Sequence, residues 1–370
     1  MSFLSNIRTI SKMFFKFAKK HDKMLITDTF KRDLSNLPTA YFALVMATGI
    51  VSIASFYFNF NLLATSLFYF NVVAYLFLCI LYVLRIIVFS SNFLSDVKDH
   101  AKSPGLLTFV AGSCVLGSQF VIIAGNHTIA ITLFYIGVIT WFILIYTVFT
   151  VFTVKDNKPP INKAISGVWL LIIVSTQSIS VLGSQVSGYI PFSQDIVLFF
   201  TLAMFLCGCM FYIIIITLIV YRMSFFEMRA EEFAPAYWIN MGAVAISTLA
   251  GSNLILNAQN WSFIQEILPF LKGFTLFFWA IGTWWIPLIF ILGLWRHVYK
   301  QFPLKYHPQY WGMIFPLGMY TACTVKLSQA LELHFLMVIP SIFILIALVA
   351  WLIAAMSMFY SLGKDYLITK

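Results

Sequence analysis

From residue 38 to residue 361 the chain is a succession of long apolar runs, each able to span a hydrocarbon core of about 30 Å. The runs fall at 38–58, 62–89, 104–125, 129–153, 164–187, 195–221, 236–257, 267–297, 310–331 and 335–361. Of the 370 residues 61% are hydrophobic and only 10% are charged. A soluble domain carries about 25% charged residues, so a soluble fold would need a core with almost no surface. The pattern predicts an all-α integral membrane protein with ten transmembrane helices.

The net charge of +10 sits between the runs, where its usual cause is membrane topology rather than nucleic acid. No zinc-finger spacing and no basic stripe interleaved with aromatics is present. The Lys and Arg residues collect in residues 1–37, in the connections after the even-numbered spans and the span ends beside them, and in the tail; only Lys272 and Lys326 fall near the opposite side. That bias predicts cytoplasmic termini and an even number of crossings in the cell membrane. The chain therefore divides into a basic N-terminal segment (1–37), a ten-helix membrane domain (38–361) and a short cytoplasmic tail (362–370). In the first segment Phe3, Leu4, Ile7, Ile10, Phe14 and Phe17 share one helical face, interrupted by lysines. This is not a signal peptide, which needs a continuous apolar core. It suits either a helix lying on the inner leaflet or a basic tail without structure.

Cys79, Cys114, Cys207, Cys209 and Cys323 all lie within apolar runs, and no pair has a metal-site spacing. They read as packing residues, and no disulfide is expected.

An internal repeat runs through the odd spans. Val115-Leu116-Gly117-Ser118-Gln119 and Val181-Leu182-Gly183-Ser184-Gln185 are identical. Leu249-Ala250-Gly251-Ser252-Asn253 and Val325-Lys326-Leu327-Ser328-Gln329 are variants at the same place. A proline precedes or opens each odd span: Pro38, Pro104, Pro160, Pro235 and Pro308. Odd spans are rich in Gly, Ala, Ser and Thr, while even spans are bulky. Small residues let helices approach closely or leave a cavity, and bulky residues face lipid without cost. The simplest architecture is five helical hairpins, with odd helices lining a central pore and even helices outside. Ordinary small-residue helix packing without a pore is the alternative.

Several residue types are missing from the span centres. No Asp, Glu or His lies there, whereas proton relays in carriers usually run through such groups. No P-loop motif is present either. No paired His or acidic cluster marks an active site, so neither an enzyme nor a cofactor is expected.

The stretch Asn36-Leu37-Pro38-Thr39-Ala40-Tyr41-Phe42-Ala43-Leu44-Val45-Met46-Ala47-Thr48-Gly49-Ile50-Val51-Ser52 resembles the first helix of the tellurite-resistance/C4-dicarboxylate transporter family. That family includes bacterial TehA-like proteins, fungal malate and sulfite transporters and the plant slow anion channels. Trp311-Gly312-Met313-Ile314-Phe315-Pro316-Leu317 resembles its ninth helix. The resemblance implies five hairpins around a pore, a homotrimer with one pore per subunit, anion transport, and a ninth-helix phenylalanine plugging the pore. The matching residue is Phe315.

Pro316 removes a backbone hydrogen bond and kinks its helix beside that ring, a plausible hinge for a gate. If Phe315 faces the axis, helical spacing brings Met319, Ala322, Lys326 and Gln329 within about 40° of it. Gln329 is the repeat partner of Gln119, Gln185 and Asn253, so the four amides could ring the outer mouth. Seven residues earlier lie Gly112, Ser178, Ile246 and Ala322, a lining one layer deeper. Equally, the amides could hydrogen-bond neighbouring helices. Lys326 could attract anions or snorkel to the interface. The leading functional reading is a channel or facilitator for small inorganic or carboxylate anions. The alternatives are a proton-linked carrier of C4-dicarboxylates such as malate, or efflux of sulfite- or tellurite-type oxyanions.

Overall fold

The computed structural model describes residues 28–367. The amphipathic face expected at residues 3–17 lies outside the described residues. Among those residues the chain is all-helical, with no strand. Ten helices have 15 or more residues: α1 (Ala43–Tyr57), α2 (Asn61–Val88), α3 (Thr108–Ile122), α4 (His127–Val154), α5 (Leu171–Val186), α6 (Gln194–Phe225), α7 (Ile239–Leu256), α8 (Leu268–Leu294), α9 (Trp311–Leu331) and α10 (Val338–Leu367).

Eight of these, some extended by short 3-10 or π turns, are long and apolar enough to cross a membrane. The exceptions are α1 and α9. Helix α1 has 15 residues, about 22 Å at 1.5 Å per residue. The expected span 38–58 is shortened because Pro38 opens a turn, in which Tyr41 N–H donates to Pro38 O at 3.1 Å, and the helix starts at Ala43. Helix α9 has 21 residues, but Thr321, Thr324, Lys326, Ser328 and Gln329 dilute its apolar character.

Consecutive helices pack in pairs, and the odd helices pack in series from α1 through α3, α5 and α7 to α9, which returns to α1. The even helices lie outside this closed ring. In the most apolar stretches of α3, α5 and α7, 78–94% of residues are buried, against 22–39% in the even helices. The cause is side-chain size. Gly, Ala, Ser and Thr let the inner helices touch, whereas the Leu, Ile, Phe and Val of the outer helices lose nothing by facing lipid.

The repeated five-residue string is a packing device. Its glycine receives a neighbouring helix: Gly117 meets Leu182 of α5 first and then Leu133 of α4, Gly183 meets Thr201 of α6 and Gly251 meets Thr275 of α8. A Cβ at Gly251 would fall 2.1 Å from Thr275 Oγ1. Even-helix aromatics complete the seam. Tyr75 and Ser113 hydroxyls bond at 2.9 Å, and Trp141, Trp279 and Trp351 donate indole N–H groups to Thr176, Thr324 and Thr48.

Short 3-10 turns open four of the odd helices: Ser103–Leu107, Gly167–Leu170, Pro235–Trp238 and Pro308–Tyr310. Pro104, Pro235 and Pro308 sit in the first positions of three of them, where a missing N–H costs nothing. Pro160 does not open α5. It heads the separate short helix Ile161–Ala164, and the turn before α5 is capped by Ser166 instead.

Three of the cations that suggested topology are buried. Arg85 bonds Asp96 and the Ser35 carbonyl. Arg222 donates to Ile165 O at 2.7 Å and to the Tyr237 hydroxyl. Arg296 donates to Phe233 O at 2.7 Å and lies over the Phe302 ring. These side chains tie the ends of even helices to the segments that open odd ones.

Candidate functional site

Two small cavities lie along the axis of the ring, one near each end. The one at the end where the odd helices begin, called the inner cavity, is about 40 Å3 and is lined by the opening turns and first residues of all five odd helices; the one at the opposite end is called the outer cavity. Ala43 and Met46 of α1, Thr108 of α3, Leu171 of α5, Ile239 of α7 and Phe315 of α9 contribute to it. The outer one, about 10 Å3, again takes side chains from all five. They include Ile50 and Tyr57, Val115 and Ser118, Ser178 and Gln185, Ile246, and Met319. A void needs roughly 10–15 Å3 to hold one water, so the outer cavity is at that limit.

Between the cavities the axis is pinched by bulky apolar groups. Met46 and Phe315 border the inner side; Ile50, Ile246 and Met319 border the outer side. On α1 and α9 the two borders are one helical turn apart, about 6 Å. Phe315 is 1% exposed and Met319 likewise 1%. Among the described residues, no Asp, Glu, His, Lys or Arg lines either cavity.

The sequence-selected residues separate into those on the axis and those off it. Phe315, Ser178 and Gln185 line the cavities. Pro316 turns instead against α7, where a Cβ at Gly242 would lie 2.7 Å from its ring. Gly112 faces Phe42 and Val45 of α1. Ala322 is buried within the helix packing and borders neither cavity. Gln119 accepts a hydrogen bond from Asn71 of α2 at 2.6 Å, beside Gly49. Asn253 is also buried away from both cavities. Of the four amides, only Gln185 borders an axial cavity. The register explains the difference. Val115, Val181 and Leu249, the first residues of their strings, line the outer cavity. The amides four positions later lie about 40° further round each helix, and only Gln185 still reaches the cavity.

Lys326 and Gln329 form a pair at the outer rim. Lys326 Nζ donates to Gln329 Oε1 at 3.1 Å and lies 5.0 Å from the ring centroid of Tyr57, itself a wall of the outer cavity. Gln329 is exposed.

The Asn71–Gln119 bond joins α2 to α3. Gln119→Leu is expected to lower stability by about 1 kcal/mol, the usual size of an interhelical polar contact in a membrane. Thermal melting of the purified protein in detergent measures this.

Comparison with known proteins now adds to the geometry. The family model described as voltage-dependent anion channel matches residues 36–359, nearly the whole helical region. The chain belongs to the SLAC1 voltage-dependent anion channel family. An uncharacterized transporter of Methanocaldococcus jannaschii is 28% identical to it over 295 residues, 78% of this chain and 83% of the relative. A second uncharacterized transporter of that organism is 25% identical over 297 residues, 79% of this chain and 84% of the relative. An uncharacterized membrane protein of Mycobacterium tuberculosis is 32% identical over 152 residues, 41% of this chain and 77% of the relative. As a SLAC1-family member the chain is a multi-pass membrane protein of an anion-transporting family.

Proposed function

We propose that the chain conducts small anions passively through the axis of its inner ring, with Phe315 as the gate. In this reading all ten helices cross the cell membrane as five hairpins, and both termini are cytoplasmic. Three copies assemble, each with its own pore, as the family resemblance implies. The observation that carries the proposal is the pair of axial cavities, each walled by all five odd helices and parted by an apolar pinch at Phe315. Hydrophobic constrictions close a pore by excluding water. Widening this one would leave a continuous path.

The absence of acidic or imidazole groups from the cavity walls favours a channel over a proton-linked dicarboxylate carrier. Proteoliposome flux tests the choice. Chloride and nitrate should move down their gradients with no dependence on a proton gradient. Malate uptake that rises steeply with a proton gradient would instead establish the carrier. Neither activity calls for enzymatic chemistry or a bound cofactor.

Lys326 sits at the rim of the outer cavity and supplies local positive potential there. Lys326→Gln should reduce anion flux several-fold at low ionic strength. The difference should vanish near 1 M salt, where the Debye length is about 3 Å. A deficit that persists at high salt would point to a structural effect. Gln185→Leu should likewise lower flux, while Gln119→Leu should leave it unchanged. Equal flux in wild type and Gln185→Leu would remove Gln185 from the conduction path.

A further inference from the structure

We infer that a groove on the outer surface of α10 is a binding site for an anionic phospholipid. The groove has a volume of about 590 Å3 and lies between the segment that precedes α9 and the exposed face of α10. Its two ends differ in chemistry. Leu345, Val349 and Ile353 supply an aliphatic floor, each more than half exposed. Lys305, Tyr306 and Tyr310 supply a cationic, hydroxyl-bearing head. An occupant must match both, with an anionic group at one end and a long apolar tail at the other. In a membrane protein that description fits a phospholipid with a net negative headgroup.

The segment beside the groove independently indicates contact with a charged interface. Val298, Tyr299 and Leu304 are 68%, 75% and 74% exposed. Lys300 and Lys305 are interspersed among them. Exposed apolar groups alternating with lysines are unfavourable in water alone. They are favourable where the apolar parts enter the acyl boundary and the ammonium groups meet anionic lipid. Tyr306 is held in place, since its hydroxyl accepts the Trp311 indole N–H at 3.2 Å.

The site touches the gate helix. Tyr310 and Met313 wall the groove and lie within about 8 Å of Phe315 along the helix. A bound lipid therefore rests on the turn that opens α9.

The test uses the full chain in vesicles of equal parts phosphatidylcholine and phosphatidylglycerol, doped with either lipid carrying a photoreactive acyl chain. Labelled peptides are mapped by mass spectrometry. Labelling within 304–313 and 345–357 should favour the phosphatidylglycerol probe about fivefold, the enrichment that one surface lysine gives. Lys305→Glu should abolish the preference, Lys305→Gln should reduce it, and Lys272→Glu should leave it intact. Size-exclusion profiles confirm that each variant is folded. Equal labelling by the two probes, or a preference that survives Lys305→Glu, overturns the proposal. Absence of label from both probes within 304–313 and 345–357 would overturn it too, by assigning the groove to a protein interface.

Discussion

Replacing Phe315 with alanine is expected to convert a nearly silent bilayer into one carrying a large anion-selective current. Phe315 is almost wholly buried and borders the inner cavity on the side that faces the outer one. Its ring and the Met46 side chain separate two voids that every inner helix helps to wall. Removing the ring leaves room for water, and an anion no longer has to shed its hydration against an apolar surface. Each 1.4 kcal/mol taken from that barrier raises the rate tenfold, so an increase on the order of tenfold or more is expected. The substitution also costs stability, roughly 3–5 kcal/mol for a buried phenylalanine. Phe315→Leu, which retains more volume, should give an intermediate current with a smaller penalty. Phe277→Ala, on the lipid-facing side of α8, should conduct like wild type. Planar-bilayer recordings in chloride and nitrate salts decide the matter. Silence from folded Phe315→Ala protein would sink the gate.

The second large effect concerns the inner end of the ring. Gly167→Ala is expected to destabilise the protein at or above the upper end of the 1–3 kcal/mol usual for overpacking. A Cβ there would lie 2.2 Å from the Ala236 carbonyl oxygen, 2.5 Å from its carbon and 2.8 Å from Tyr237 N. All three are backbone atoms, so no side chain can rotate out of the way. The turns in contact are those that open α5 and α7, and both help to wall the inner cavity. Arg222 pins the same junction through Ile165 O and the Tyr237 hydroxyl. Gly273 is the matched control, because nothing lies within 4 Å of a Cβ built there. Gly273→Ala should be neutral or stabilising by up to about 1 kcal/mol, since alanine is the better helix former. Melting temperatures of the two variants in one detergent make the comparison. A wild-type melting temperature for Gly167→Ala would mean that the junction yields.

The division into inner and outer helices was legible in the sequence because it rests on composition. Stretches such as Ser175-Thr176-Gln177-Ser178 cannot face lipid cheaply, and Phe211-Tyr212-Ile213 can. The repeated string was legible as a repeat, but its purpose was not. Its glycines seat neighbouring helices, and that depends on contacts with residues distant in sequence, such as Leu182 for Gly117 and Thr275 for Gly251. The amides lie about one turn and 40° beyond the first residues of their strings, and it is those first residues, Val115, Val181 and Leu249, that border the outer cavity. Hydrophobicity hid the walls of the outer cavity, since Ile50, Val115, Val181 and Leu249 look like any other apolar residue. The spacing Val115, Ser118, Ile122, repeated as Ser178, Val181, Gln185, was the signal available. The buried arginines were invisible for a similar reason. Charge counting records Arg85, Arg222 and Arg296 only as cations in or beside the ends of even spans, and only folded geometry shows the carbonyl groups they reach.

A ring closed by its ninth helix does not exist until nearly all of the chain has been synthesised. Helices α1 to α8 emerge first, as an arc with an open side. Until α9 fills the gap, the hydroxyl-bearing edges of α1 and α7 are turned toward lipid. The last fastening, Trp351 to Thr48, spans 303 residues. A ribosome that stops early therefore leaves a polar cleft in the bilayer rather than a smaller pore.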